Sequence, residues 1–278
     1  MTINDFAKAL NDGQQIDSIL LDFSKAFDKV DHRKLCVKLA HYGIQGKCHA
    51  WIKAFLSNRT QEVILNEKCS KKCNVTSGVP QGTVLGPLLF LVYINDMPSV
   101  ISSLLRLFAD DSYLYRIIKS IQDSQILQND PNNLQSWEQN NSMEFHPQKC
   151  KVLTITNKIK PIETSYTIHH ENLEKVESSK YLGVEIHKKL KWNRHVGNVC
   201  KRANRVLNFL QRNLRGCSKS IKTKAYKTYV KPILNYASTS WNPVNNHTLT
   251  KQLEQVQRKA ARFVCSNRSW SSSPIGND

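Results

Sequence analysis

The sequence predicts an α+β protein: a sheet-and-helix unit to about residue 186, then a basic bundle of helices to about residue 265. Three observations carry this. Two apolar, aromatic runs at 104–108 and 113–117 flank Ala109, Asp110, Asp111 and Ser112, the pattern of a hairpin with acid at its tip. The hydrophobic period turns helical after about residue 190. Between residues 186 and 252 there are 15 Lys or Arg and no Asp or Glu, whereas the rest of the chain carries 25 basic and 22 acidic residues.

The elements follow in order. Residues 2–12 read as a short amphipathic helix. Residues 16–23 form an apolar run holding two aspartates, which predicts a buried strand. Asp31 can cap a helix running to about His41, with Gly43 ending it. Another helix is expected over 45–57, and strands over 61–65 and 73–76. The apolar stretch 83–100 has Gly86 and Pro87 near its start, which suits the first turn of a buried helix. Residues 120–141 carry helical periodicity, broken by Pro131. Strands follow at 152–156 and 181–186. Three helical stripes complete the chain: Val199 to Leu214, Ile221 to Ile233 and Leu249 to Phe263. The last residues, 266–278, read as a disordered tail.

Composition narrows the class. A hydrophobic content of 40% fits a globular chain and not a disordered one. No run of 18 or more apolar residues is present, so no membrane span is expected. The N-terminus lacks an apolar signal core, and an intracellular location is expected. The eight cysteines are scattered, with no CxxC pair and no Cys/His cluster of zinc spacing, which predicts reduced thiols. The basic block points to a polyanionic partner, although a plain solvated face has the same composition.

The chemistry lies in the acids. Asp110 and Asp111 repel each other at a turn, and a surface turn tolerates that. Asp22 is different, because an aspartate in an apolar strand is costly unless it is paired or metal-bound. Two strands that each bring acid to one end supply the oxygen ligands a divalent ion requires.

Five segments then carry a resemblance. LDFSKAFDKVDH (21–32), SGVPQGTVLGPLLFLVYINDMP (77–98), FADD (108–111), FHPQKCKVLTIT (145–156) and KYLGVEI with KWNRHV (180–186, 191–196) resemble, in order and spacing, the motifs of LINE-type, non-LTR retrotransposon reverse transcriptases. The resemblance implies a ferredoxin-like palm over 1–186 and a basic helical thumb over 187–265. It implies an RNA-directed DNA polymerase using two Mg2+ ions, or Mn2+ in their place, with an RNA template, a DNA primer and a dNTP. Asp22, Asp110 and Asp111 would be the catalytic acids and metal ligands. Phe23 would lend backbone beside the nucleotide, and Phe27 would be the steric gate against a ribose 2′-hydroxyl. Gln81 and Gly82 would border nucleotide and template, and Lys149 would sit near the departing pyrophosphate. Tyr181, Leu182 and Gly183 would turn tightly against the primer, while Lys191, Arg194, Lys201, Arg202 and Arg205 would meet phosphates. Asp28, Asp31 and His32 read as capping and structural.

The family's fingers region would lie upstream of the first motif and is largely missing here. The expectation is therefore a fragment with little or no polymerisation on its own. Two alternatives remain open: a catalytically inactive nucleic-acid-binding remnant, and a metal-dependent nuclease. Oligomeric state is not legible.

Overall fold

The structure, a computed structural model, describes residues 2–243 and 246–265. The chain forms two compact units, essentially residues 4–177 and those from 178 onward. The division falls between Glu177 and Ser178, upstream of the 186/187 boundary read from sequence. The reason is local: strands β12 (Ser178–Tyr181) and β13 (Val184–His187) pair only with each other, and the Glu185 N–H donates to His195 Nδ1 of the following helix. The tail expected over 266–278 lies outside the described residues.

In the first unit, helix α1 (Thr2–Asn11) turns Phe6 and Ala9 inward. The Phe6 ring meets Tyr113 and Tyr115 at centroid distances of 5.7 and 5.2 Å. Strand β1 (Gln15–Leu21) is almost wholly buried. Its Asp17, 1% exposed, survives burial because Tyr166 Oη (2.7 Å) and Gln15 Nε2 (3.1 Å) donate to it. Asp31 caps α2 (His32–His41) by accepting the N–H groups of Arg33 and Lys34. Helix α3 (Gly46–Leu56) follows. Residues 60–74 form two small ribbons of two-residue strands: β2 (Thr60–Gln61) with β5 (Cys73–Asn74), and β3 (Ile64–Leu65) with β4 (Lys68–Cys69).

The apolar stretch expected to be one helix over 83–100 is α4 (Leu85–Ile94) followed by a 3-10 turn, Met97–Val100. Pro98 has no N–H to donate to the Ile94 carbonyl, so the α-helical ladder stops there although the backbone stays helical through Asp96. A hairpin of β6 (Leu104–Phe108) and β7 (Asp111–Ile118) leads into α5 (Ile121–Asn141). Pro131 does not break α5, contrary to the sequence expectation. Its ring removes one N–H, while Leu127, Leu134 and Trp137 anchor both halves in the core. Next to it, Asp130 accepts the N–H groups of Ser102 and Ser103, 2.7 and 3.0 Å away. Strand β8 (Lys151–Ile155), the hairpin of β9 (Thr167–Ile168) and β10 (Glu171–Asn172), and β11 (Glu174–Lys175) complete the unit.

The main sheet has the order β11-β8-β1-β7-β6, with β1 central and antiparallel to both neighbours. A core of Ile19, Leu21, Leu39, Phe90, Tyr93, Leu114, Leu127 and Trp137 joins its face to α2, α4 and α5. Burial of this area is the main driving force for the arrangement.

In the second unit, the segment expected as one strand over 181–186 is the β12–β13 hairpin. Its two turn residues have φ of +45° (Leu182) and +79° (Gly183), the left-handed pair that suits a two-residue hairpin turn. Helix α6 (Asn193–Asn213) packs against α10 (His247–Cys265). Between them run α7 (Lys219–Ala225), a π-helical turn over Tyr226–Val230, α8 (Lys231–Asn235) and α9 (Ser238–Trp241). Val196, Ala203, Leu207, Val230, Trp241, Val256 and Ala260 form this unit's own core. All eight cysteines are free thiols. Among the described residues no helix is long and apolar enough to cross a membrane.

Candidate active site

The sheet register brings the far-apart acids together. Leu21 of β1 pairs with Ser112 of β7, so one further step sets Asp22 level with Asp111. Ala109 and Asp110 form the two-residue tip of the β6–β7 hairpin, closed by the Phe108–Asp111 pair. Burial pushes the Asp111 carboxyl above its ordinary pKa, and the charges of Asp110 and Asp22 push it further. Asp22 is half-exposed, and Lys149 Nζ lies 3.7 Å from its Oδ1.

Asp22 is knit into the segment before β8. Its N–H donates to the buried Cys150 Sγ at 3.4 Å, and its carbonyl accepts the His146 N–H at 2.8 Å. Phe23 and Phe145 form an isolated bridge and stack at 4.4 Å. The Cys150 thiol is pushed up to about 11 by burial, so it is a neutral packing group at neutral pH.

Phe27 and the 77–83 loop form a second side of this neighbourhood. The Phe27 ring stacks on Phe90 at 4.5 Å and is only half-buried. The Val79 N–H donates to the Phe27 carbonyl (2.9 Å) and the Gly78 N–H to the Val30 carbonyl (2.8 Å). Gln81 Nε2 donates to Asp28 Oδ1 at 3.2 Å, and Gly82 is exposed. Asp28, read from sequence as structural, therefore tethers Gln81. Gly78 has φ +86°, and a Cβ there would meet Asp28 backbone atoms at 2.9 Å. Only glycine permits this approach.

The donor set fits a hard divalent cation: three carboxylates, with Asp111 raised in part by its acidic neighbours. Among the described residues, however, no three His, Cys, Asp or Glu side chains are gathered closely enough to hold a metal ion.

The remaining predicted residues belong to the second unit. The Tyr236 hydroxyl donates to the Leu182 carbonyl at 3.0 Å, and its ring lies against Gly183. Lys191, Lys201, Arg202 and Arg205 are exposed. Arg194 is engaged, with Nε 3.2 Å from Glu185 Oε1 and Nη1 donating to Ser178 Oγ at 3.0 Å.

The β6–β7 turn thus sets Asp110 and Asp111 beside Asp22, the residue that follows β1. The reverse transcriptase (RNA-dependent DNA polymerase) family model matches residues 3–186, and the chain belongs to that family. It is 27% identical over 281 residues to the RNA-directed DNA polymerase from mobile element jockey of Drosophila melanogaster, covering 96% of this chain and 30% of the relative. The jockey polymerase of Drosophila funebris is 29% identical over 280 residues, covering 96% and 30%. The probable RNA-directed DNA polymerase from transposon X-element of Drosophila melanogaster is 27% identical over 267 residues, covering 92% and 29%. The chain thus spans about three tenths of the length of these curated relatives. In fold it resembles a telomerase from Candida albicans, solved in complex with a TWJ fragment of telomeric RNA. The TM-score is 0.50 at 13% identity, over 97% of this chain and 52% of that one.

Proposed function

We propose that this chain is the polymerase module of a mobile-element RNA-directed DNA polymerase, joining dNTPs to a DNA primer 3′-hydroxyl along an RNA template. The observation that carries this reading is the register that sets Asp22 level with the Asp110–Asp111 hairpin tip. In this reading residues 4–177 correspond to a palm and the basic helices to a thumb.

Asp22, Asp110 and Asp111 would hold the divalent ions. When bound, such ions activate the attacking hydroxyl and stabilise charge on the phosphate oxygens. The chain's own side chains do the rest. Phe27, braced by Phe90, presents a ring edge that excludes a 2′-hydroxyl. Gln81, held by Asp28, and Gly82 border the nucleotide and template, with Phe23 fixing the backbone beside them. Lys149, close to Asp22, carries a proton and a positive charge suited to the departing pyrophosphate. The Tyr181–Leu182–Gly183 turn approaches the primer. Lys191, Lys201, Arg202 and Arg205 neutralise phosphates without reading sequence, and Arg194 holds its local hairpin in place.

Primer extension on an RNA template with Mg2+ or Mn2+ tests this. Asp110→Ala is expected to lower the extension rate by about 10^2 to 10^3 or more, with duplex affinity retained. Extension that survives Asp110→Ala would overturn the assignment of the site. Salt-sensitive duplex binding with no extension by the unaltered chain would favour a binding remnant instead.

A further inference from the structure

A groove of about 580 Å³ runs beside α5, lined in part by Lys29, Asp31, Glu138, Glu144 and His169. Glu138 is 3% exposed, an expensive place for a carboxylate. Its partners explain the position. Oε1 accepts the backbone N–H of Phe145, and Oε2 lies 2.8 Å from His169 Nε2. Burial pushes the Glu138 carboxyl up, and the bonds from the Phe145 N–H and to His169 counter that push. His169 is held at the tip of the β9–β10 hairpin with φ +52°, a left-handed conformation uncommon for a residue with a side chain.

Two backbone bonds flank Phe145 and tie its segment to residues 22–24, while its own N–H turns to Glu138. On one side of it the Ser24 N–H donates to the Glu144 carbonyl at 2.8 Å. On the other the His146 N–H donates to the Asp22 carbonyl at 2.8 Å. Phe145 is 1% exposed, so its N–H without Glu138 would be a buried donor with no acceptor. Lys29 is drawn to Glu144 by an ion pair at the groove rim, which leaves His169 as the side chain bonded to Glu138.

We propose that Glu138, fastened by His169, is a positioning residue that fixes residues 22–24 through Phe145 and so aims the Asp22 carboxylate. Its kinetic consequence rests on the polymerase reading above; its structural consequence does not.

Backbone amide hydrogen exchange in the full chain tests the structural part. Glu138→Leu removes the acceptor at similar bulk, whereas Glu138→Gln keeps an oxygen for the Phe145 N–H. The Leu variant is expected to lose about tenfold protection at Ser24 and His146, the equivalent of one buried hydrogen bond. Ile19 and Leu114 in the sheet are expected to be unchanged, and the Gln variant to retain protection throughout. Unchanged exchange at Ser24 and His146 in the Leu variant would overturn the proposal. So would an equal loss at all four amides, which marks a merely structural group.

Should the Leu variant not fold, His169→Phe carries the test. It leaves the Phe145 bond and frees the other oxygen, and the same two amides are expected to lose protection by a smaller factor. No loss there would overturn the proposal.

Where the unaltered chain extends primers, Glu138→Leu is expected to lower kcat about tenfold with KM for dNTP unchanged, and Glu138→Gln to restore it to within about threefold. The exchange data decide the role of Glu138 whether or not the unaltered chain extends primers.

Discussion

Ala109 sits at φ +52° beside the two acids of the hairpin tip. A left-handed alanine costs about 1–2 kcal/mol, and a glycine loses about 0.5–1 kcal/mol more in backbone entropy on folding. Ala109→Gly is therefore expected to stabilise the fold by up to about 1 kcal/mol in urea melts, while loosening the tip and slowing extension. Asp111 works in the same direction. Its raised pKa means the folded chain holds that proton more tightly than the unfolded chain. The resulting stability is present below the ordinary carboxylate value and is lost as pH rises through the raised one. At neutral pH the acidic corner thus weighs against folding. Asp22, expected inside a buried strand over 16–23, lies half-exposed one residue past the end of β1; Asp110, Asp111 and the Asp31 cap were legible from turn and capping chemistry. Glu138 was not, since its work is to accept a backbone N–H seven residues away, and nothing in residue type marks that. Asp28 was legible only as structural for the same reason: its bond to Gln81 spans 53 residues.

Among the elements, the 77–83 loop depends most on one position. Gly78→Ala would drive a methyl group into the Asp28 backbone at 2.9 Å while straining φ. It is expected to destabilise the chain by about 1–3 kcal/mol in thermal or urea melts and to raise KM for dNTP, because Gln81 and Phe27 share that contact. Most helices were legible from their periodicity: α2, α3 and α10 begin and end within two residues of the pattern, whereas α6 begins six residues before its Val199–Leu214 stripe. The exceptions have physical causes. Pro131 reads as a break because local rules see the missing N–H and not the core contacts on either side of it. Composition over 181–186 reads as one strand because the left-handed Leu182, supported by the Tyr236 hydroxyl, is not a usual turn residue; only the resemblance points to the tight turn at Tyr181, Leu182 and Gly183. The β9, β10 and β11 segments are two residues each, too short for any period to register.

At the scale of the whole molecule, charge and sheet order matter most. Four exposed basic residues, Lys191, Lys201, Arg202 and Arg205, are free of the pairing that occupies Arg194. If all four meet phosphates, the log–log dependence of duplex affinity on salt is expected to have a slope of about −4, measured by anisotropy at several ionic strengths. A slope near zero would remove nucleic acid as the partner of this face. The sheet order has a further consequence for synthesis. The central strand is made well before either neighbour, since Ser18 contacts Tyr113 across 95 residues and Leu153 across 135. At ribosomal rates of about 5–20 residues per second, that strand waits roughly 5–20 s for its first lateral partner and longer for its second. Its sticky interior face is bare throughout that interval, so the nascent chain is most exposed to aggregation before the acidic corner exists.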